Sequence, residues 1–262
     1  MAVPLLDMQS IAKDFTGVRA LNRVSFDVRP GEIHALYGEN GAGKSTLIEI
    51  LGGVYPHGSY AGTLHIAGSL RQFHHVRDAE NAGIAIIYQE LALIPEMSVR
   101  ENIYLGREPT RFGVIDWNQQ YHDAARLLGN FGLSLQPRML VRELGIGQQQ
   151  MVEISKALSR EARLLVLDEP TAALTESEIK TLMAILRQLK EKGVSCIYIT
   201  HKLKEVFGIA DRVTVLRDGK IAGTLPIAQC DEEKLISQVI GRELTNFFPR
   251  SEREIGTVAL RV

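Results

Sequence analysis

Cysteine is almost missing from this chain, with only Cys196 and Cys230 in 262 residues and no pair spacing between them. That excludes a disulfide scaffold or a cysteine-rich zinc framework and fits a reducing cytosol. An excess of one charge is missing too: 30 Lys and Arg against 31 Asp and Glu leave a net −1. No surface for nucleic acid is therefore expected. No apolar run approaches the roughly 20 residues of a membrane span. Met1-Ala2-Val3-Pro4-Leu5-Leu6-Asp7 does not follow the charged-then-apolar order of an export signal. A cytoplasmic location is the expectation, with a membrane partner left open. What remains, 45% hydrophobic and 23% charged, is ordinary globular composition. The length suits one large α/β domain or a core with an inserted subdomain.

The stretch Gly38-Glu39-Asn40-Gly41-Ala42-Gly43-Lys44-Ser45-Thr46 fits G-x-x-x-x-G-K-[ST], the loop that wraps a nucleotide's phosphates. Ahead of it Glu32 to Tyr37 reads as a strand, and behind it Thr46 to Leu51 reads as a helix, which is the context the motif needs. Glycine lets backbone N–H groups approach phosphate oxygens that a Cβ would block. The helix start adds free N–H donors and partial positive charge. Lys44 is expected to reach the β- and γ-phosphates, and the Ser45 hydroxyl to ligate Mg²⁺.

Leu5 to Met8, Val24 to Val28, Gly62 to Gly68 and Ile84 to Tyr88 read as further strands. From about Ser98 to Leu158 the pattern is read as helical, with Tyr121, Ala124, Ala125 and Leu128 at three- and four-residue spacing. Arg163 to Asp168 is continuously apolar up to its acid, as a parallel strand buried on both faces should be. Glu176 to Lys192 is an amphipathic helix capped by Gly193, and Ser195 to Ile199 is the next buried strand. Strand–helix–strand repetition implies a mostly parallel sheet, with ligands at the carboxyl ends of its strands.

The remaining polar candidates sit at those ends. Asp168-Glu169 closes a buried strand: the first acid can share the Mg²⁺ shell and the second can polarise an attacking water. His201 follows the next strand and fits either a γ-phosphate contact or a capping residue. Gln89 follows the strand Ile84 to Tyr88 and fits either a metal ligand or a polar strand end. His74 and His75 are adjacent, point apart and read as surface residues.

Taken together these residues resemble the nucleotide-binding domain of ABC transporters. Gln89 matches that family's Q-loop glutamine, and Glu143-Leu144-Gly145-Ile146-Gly147-Gln148-Gln149-Gln150 stands where its signature belongs. Asp168 and Glu169 match the Walker B aspartate and catalytic glutamate, and Ala172 to Thr175 the D-loop. His201 matches the switch histidine and Phe15 the aromatic residue that stacks on adenine. Within the family the chain looks like the importers of ribose, xylose and galactose, in Tyr88-Gln89-Glu90-Leu91, Gly147 to Ile154 and Gly241-Arg242-Glu243-Leu244.

The resemblance implies an ATPase whose fold is a P-loop core with an antiparallel β subdomain and a helical subdomain inserted at about 96–160. It implies catalytic roles for Glu169, His201 and Gln89, and Mg²⁺ held by Ser45, Gln89 and Asp168. Gly145, Gly147 and Gln148 would meet a nucleotide held by an opposing domain. The implied partners are membrane permease subunits, a second nucleotide-binding domain and, indirectly, a sugar-binding protein, with the chain at the cytoplasmic face of a bacterial membrane. Two departures stand out: Gly145 replaces the usual signature serine, and Thr175 the D-loop aspartate. The lost serine bond is worth about 1.5–3 kcal/mol, roughly tenfold to a hundredfold in affinity. The domain is placed at 1–245, and Val258 to Val262 reads as the first strand of a second, similar domain. A soluble ABC-type ATPase acting on ribosomes or DNA, or a nucleotide-gated structural module, would share the same phosphate contacts.

Overall fold

The computed structural model describes residues 3–240. The expected strand near the C-terminus, like Gly241 to Leu244, lies outside them. Twelve strands and eight α-helices alternate along the described chain. They begin β1 (Leu6–Phe15), β2 (Val18–Val28), β3 (Ile33–Tyr37), α1 (Lys44–Leu51), β4 (Ala61–Ile66), β5 (Ser69–Arg71), α2 (Val76–Asn81) and β6 (Ile84–Ile87). Next come α3 (Val99–Tyr104), β7 (Thr110–Arg111), β8 (Val114–Ile115), α4 (Trp117–Asn130), α5 (Ile146–Leu158) and β9 (Leu164–Asp168). The remainder is α6 (Glu176–Glu191), β10 (Ser195–Thr200), α7 (Leu203–Ile209), β11 (Arg212–Arg217), β12 (Lys220–Pro226) and α8 (Glu232–Ile240). None of these helices is long and apolar enough to cross a membrane.

The central sheet has the order β12-β11-β3-β10-β9-β6, parallel throughout except for the edge strand β12. The continuous apolar runs are explained by packing on both faces. On β9, Leu164 and Val166 join one core while Leu165 and Leu167 join the other. On β10, Ile197 and Ile199 divide from Cys196 and Tyr198 in the same way. The second sheet, β2-β1-β4-β5, is antiparallel and closes the first core with Leu6, Met8, Ile11 and Phe26.

Helices α3, α4 and α5 surround a separate core of Val99, Ile103, Ala124, Leu128, Leu144 and Val152. Ser98 starts α3 with a capping box completed by Glu101. The reading of 98–158 as helical throughout is corrected here, because β7 and β8 form a hairpin inside it. Pro109 bars helix continuation, and Phe112 and Gly113, at φ 54° and 78°, close the two-residue turn.

Register puts the strand ends level. Tyr37 of β3 pairs with Thr200 of β10, and Ile199 of β10 with Asp168 of β9. The segments that follow β3, β6, β9 and β10 therefore emerge side by side.

Candidate functional site

A cleft of about 680 Å³ opens at those strand ends. Asn40, Gly41, Gly43, Lys44, Ser45 and Thr46 line one wall, and Gln89, Asp168 and Glu169 another. The sequence-predicted groups thus converge from separate loops. Three members of the motif do not face this cleft. Gly38 is buried against β11, where a Cβ would overlap the Leu216 carbonyl. Ala42 is a core residue and its N–H donates to the Glu39 carbonyl at 3.2 Å. Glu39 is exposed beside the loop.

Glycine is required at Gly43. It caps α1 at φ 105°, and a Cβ there would stand 2.7 Å from the Ala20 carbonyl and 2.9 Å from Leu21 Cδ2. Lys44 is 7% exposed, and its Nζ donates to the Gly38 and Glu39 carbonyls at 2.8 and 2.9 Å. The ammonium thus draws the loop around itself. Burial pushes its pKa down, against the pull of Glu169 and Asp168. Burial pushes the Asp168 carboxyl up, helped by Glu169 and opposed by Lys44.

Glu169 adopts φ 45°, a left-handed conformation costly for a non-glycine residue, and its N–H donates to the Ile199 carbonyl at 3.0 Å. Its Oε1 lies 3.0 Å from Nδ1 of His201, whose side chain is half exposed. The two groups expected to act together are therefore already paired. Phe15 ends β1, is 40% exposed, and meets Tyr55 edge-on at 5.5 Å. It stands outside the cleft lining, although Val18, three residues on, belongs to it.

Gly145, Gly147 and Gln148 lie elsewhere, at the start of α5. Gly147 and Gln148 border a separate hollow with Leu133 and Glu178. Glu178, from α6, accepts the Thr175 N–H at 2.8 Å, and its carboxylate covers Gly147 where a side chain would project.

The sequence reading missed Val18, Arg19, Ala20, Asp218 and Gly219, which complete the cleft. Gly219 is tied to the glycine-rich loop by its N–H on the Ala42 carbonyl at 3.1 Å. The Asp-Gly pair between two β-rich stretches is a hairpin signal that could have flagged this corner.

A profile described as ABC transporter matches residues 21–172, more than half of the chain. The chain belongs to the ABC transporter family. Its relatives include a xylose import ATP-binding protein XylG from Moorella thermoacetica, 55% identical over 98% of this chain and 51% of that protein. Another is an L-arabinose transport ATP-binding protein AraG from Geobacillus stearothermophilus, 48% identical over 98% of this chain and 51% of that one. The chain spans about half the length of these curated relatives. Among solved structures, an ATP-binding cassette of an ABC transporter in its ADP conformation aligns with a TM-score of 0.79 at 25% identity. The alignment covers 91% of this chain and 97% of that one. A nucleotide-free cassette aligns with a TM-score of 0.76 at 26% identity, over 91% of this chain and 95% of that one.

Proposed function

We propose that this ABC chain binds ATP and hydrolyses it to drive import of a monosaccharide through a membrane permease. The observation that carries the reading is the meeting of Lys44, Ser45, Gln89, Asp168 and Glu169 on one cleft at the strand ends. The names of the xylose and arabinose relatives support the sugar assignment, and the chain would then sit at the cytoplasmic face of the membrane.

Main-chain amides of residues 41–46 and the Lys44 ammonium take the triphosphate, and Phe15 with Tyr55 offers a stacking face for adenine. The cleft sets Lys44 and Arg19 against Asp168, Glu169 and Asp218, a negative balance to which an ATP anion adds, so a cation accompanying ATP would favour its entry. Ser45, Gln89 and Asp168 are oxygen donors of the kind Mg²⁺ prefers. They would hold the ion, whose contribution is to neutralise charge developing on the β- and γ-phosphate oxygens. Glu169 orients a water in line with the γ-phosphorus and accepts its proton. The water oxygen bonds to phosphorus, the bond to the β-phosphate oxygen breaks, and ADP and phosphate leave. His201, fastened to Glu169, contacts the γ-phosphate. Closure needs the Gly145 to Gln148 face of an opposing ATP-binding domain, since that segment in this chain stands apart from its own cleft.

The test uses the assembly of this chain with an opposing domain and permease subunits. Glu169→Gln retains ATP binding by calorimetry and loses turnover, and a sugar-loaded binding protein stimulates the unaltered assembly. Turnover at the unaltered rate in the Glu169→Gln variant removes the base assignment, and indifference to every sugar-loaded binding protein removes the import reading.

A further inference from the structure

Glu205 is a buried carboxylate that the mechanism above does not use. It sits on α7 at 8% exposure, and four groups converge on it. Thr171 Oγ1 donates to it at 2.6 Å, Tyr198 Oη at 2.8 Å and Thr200 Oγ1 at 3.1 Å, and Lys202 Nζ stands 3.3 Å away. Lys202 closes the ring by donating to the Thr171 carbonyl at 3.2 Å and to its hydroxyl at 3.1 Å. The Lys202 N–H also bonds Thr200 Oγ1 at 3.0 Å.

Thr171 and Lys202 come from the two loops that carry the reacting groups, and Tyr198 and Thr200 from β10, which leads into the second of them. Thr171 lies two residues after Glu169, while Thr200 and Lys202 flank His201. Glu169 itself holds a left-handed backbone, which persists only where its surroundings impose it. An ionised carboxylate is the side chain that can accept from three hydroxyls and an ammonium at once, because it carries no donor of its own. Its charge also pushes the Tyr198 phenol up, in addition to burial, so that the hydroxyl keeps its proton and remains a donor.

We propose that Glu205 is a positioning residue: it clamps the loop after β9 to the loop after β10 and so fixes Glu169 and His201 relative to each other. The proposal deepens the hydrolysis reading and rests on it for its kinetic consequence. Its structural part stands independently, because the clamp should also protect the Glu169 amide.

Four variants separate the clamp from simple packing. Glu205→Gln keeps the shape but exchanges acceptor sites for N–H donors. Thr171→Val removes one hydroxyl at constant shape, Thr171→Ser keeps it, and the fourth combines Glu205→Gln with Thr171→Val. A bond to a buried charge sets the scale. In the assembly, Glu205→Gln and Thr171→Val should lower kcat by about tenfold or more with KM and ATP affinity unchanged. Thr171→Ser should stay within about twofold of the unaltered protein, and the double variant should be no worse than the poorer single one. In the chain alone, amide exchange at Glu169 should quicken in the first two variants and not in Thr171→Ser. Unchanged kcat and exchange in Glu205→Gln overturn the proposal. So does a Thr171→Ser variant as impaired as Thr171→Val, or a loss of ATP affinity matching the loss of kcat. An unaltered assembly that does not hydrolyse ATP defeats the functional reading instead, and the exchange data then decide the clamp.

Discussion

Replacing Gly43 by alanine tests how tightly the glycine-rich loop is held against β2. Two costs follow from the structure. The backbone at φ 105° lies where a Cβ is strained, about 1–2 kcal/mol by comparison with left-handed residues. The new methyl would meet the Ala20 carbonyl at 2.7 Å and Leu21 Cδ2 at 2.9 Å, where 3.4 Å is ordinary contact. Backbone must therefore yield by about 0.7 Å, an overpacking of about 1–3 kcal/mol. The sum of about 2–5 kcal/mol corresponds to roughly 4–20 °C in melting temperature for a domain of this size. The first turn of α1 moves with Gly43, so ATP affinity should fall at least about tenfold. Gly41→Ala is the control: φ is 83°, but no atom stands within 4 Å of the added Cβ. Only the strain remains, about 1–2 kcal/mol. Thermal unfolding without nucleotide and calorimetry with ATP measure both effects. If Gly43→Ala is no more damaging than Gly41→Ala, the close approach of loop to β2 is wrong.

Lys44→Met removes a charged donor from the phosphates and leaves the Gly38 and Glu39 carbonyls without it. ATP should bind about tenfold to a hundredfold more weakly in calorimetry, and undiminished affinity refutes the assignment. Asp168 titrates above its ordinary 3.8 because it is buried beside Glu169. Between 3.8 and that raised value the folded chain holds the extra proton, so ligand-free stability falls as pH rises through the window. Cation binding needs the ionised form and should strengthen over the same window. A titration of Mg²⁺-dependent ATP binding should show the step, and Asp168→Asn should abolish it. Phe15→Ala should cost about 1–3 kcal/mol of ATP affinity if adenine stacks there. An unaltered affinity reduces Phe15 to a packing partner of Tyr55.

The polar side of the site was legible where its chemistry was local. Residues 38–46 carry loop, ammonium and hydroxyl in one stretch, and Asp168, Glu169 and His201 each end an apolar run whose length announces a buried strand. What could not be read came from topology. Asp218 and Gly219 reach the cleft because β11 lies beside β3, a neighbour relation no pattern along the chain encodes. Glu205 has the same difficulty, because its partners are 34, 7, 5 and 3 residues away and look like unrelated hydroxyls and a lysine until the fold assembles them. The hairpin at 110–115 was missed because its turn puts phenylalanine, not glycine or asparagine, in a left-handed position.

Glu178 lends the α5 end of the molecule a character its glycines do not suggest. With its carboxylate on the Thr175 amide and set over Gly147, the chain supplies its own anion at the start of that helix. A phosphate brought to that helix start would meet this carboxylate, and the two negative charges would repel. Any affinity of that face for phosphate would thus be set against an internal charge, and shortening a single glutamate would raise it without touching any glycine.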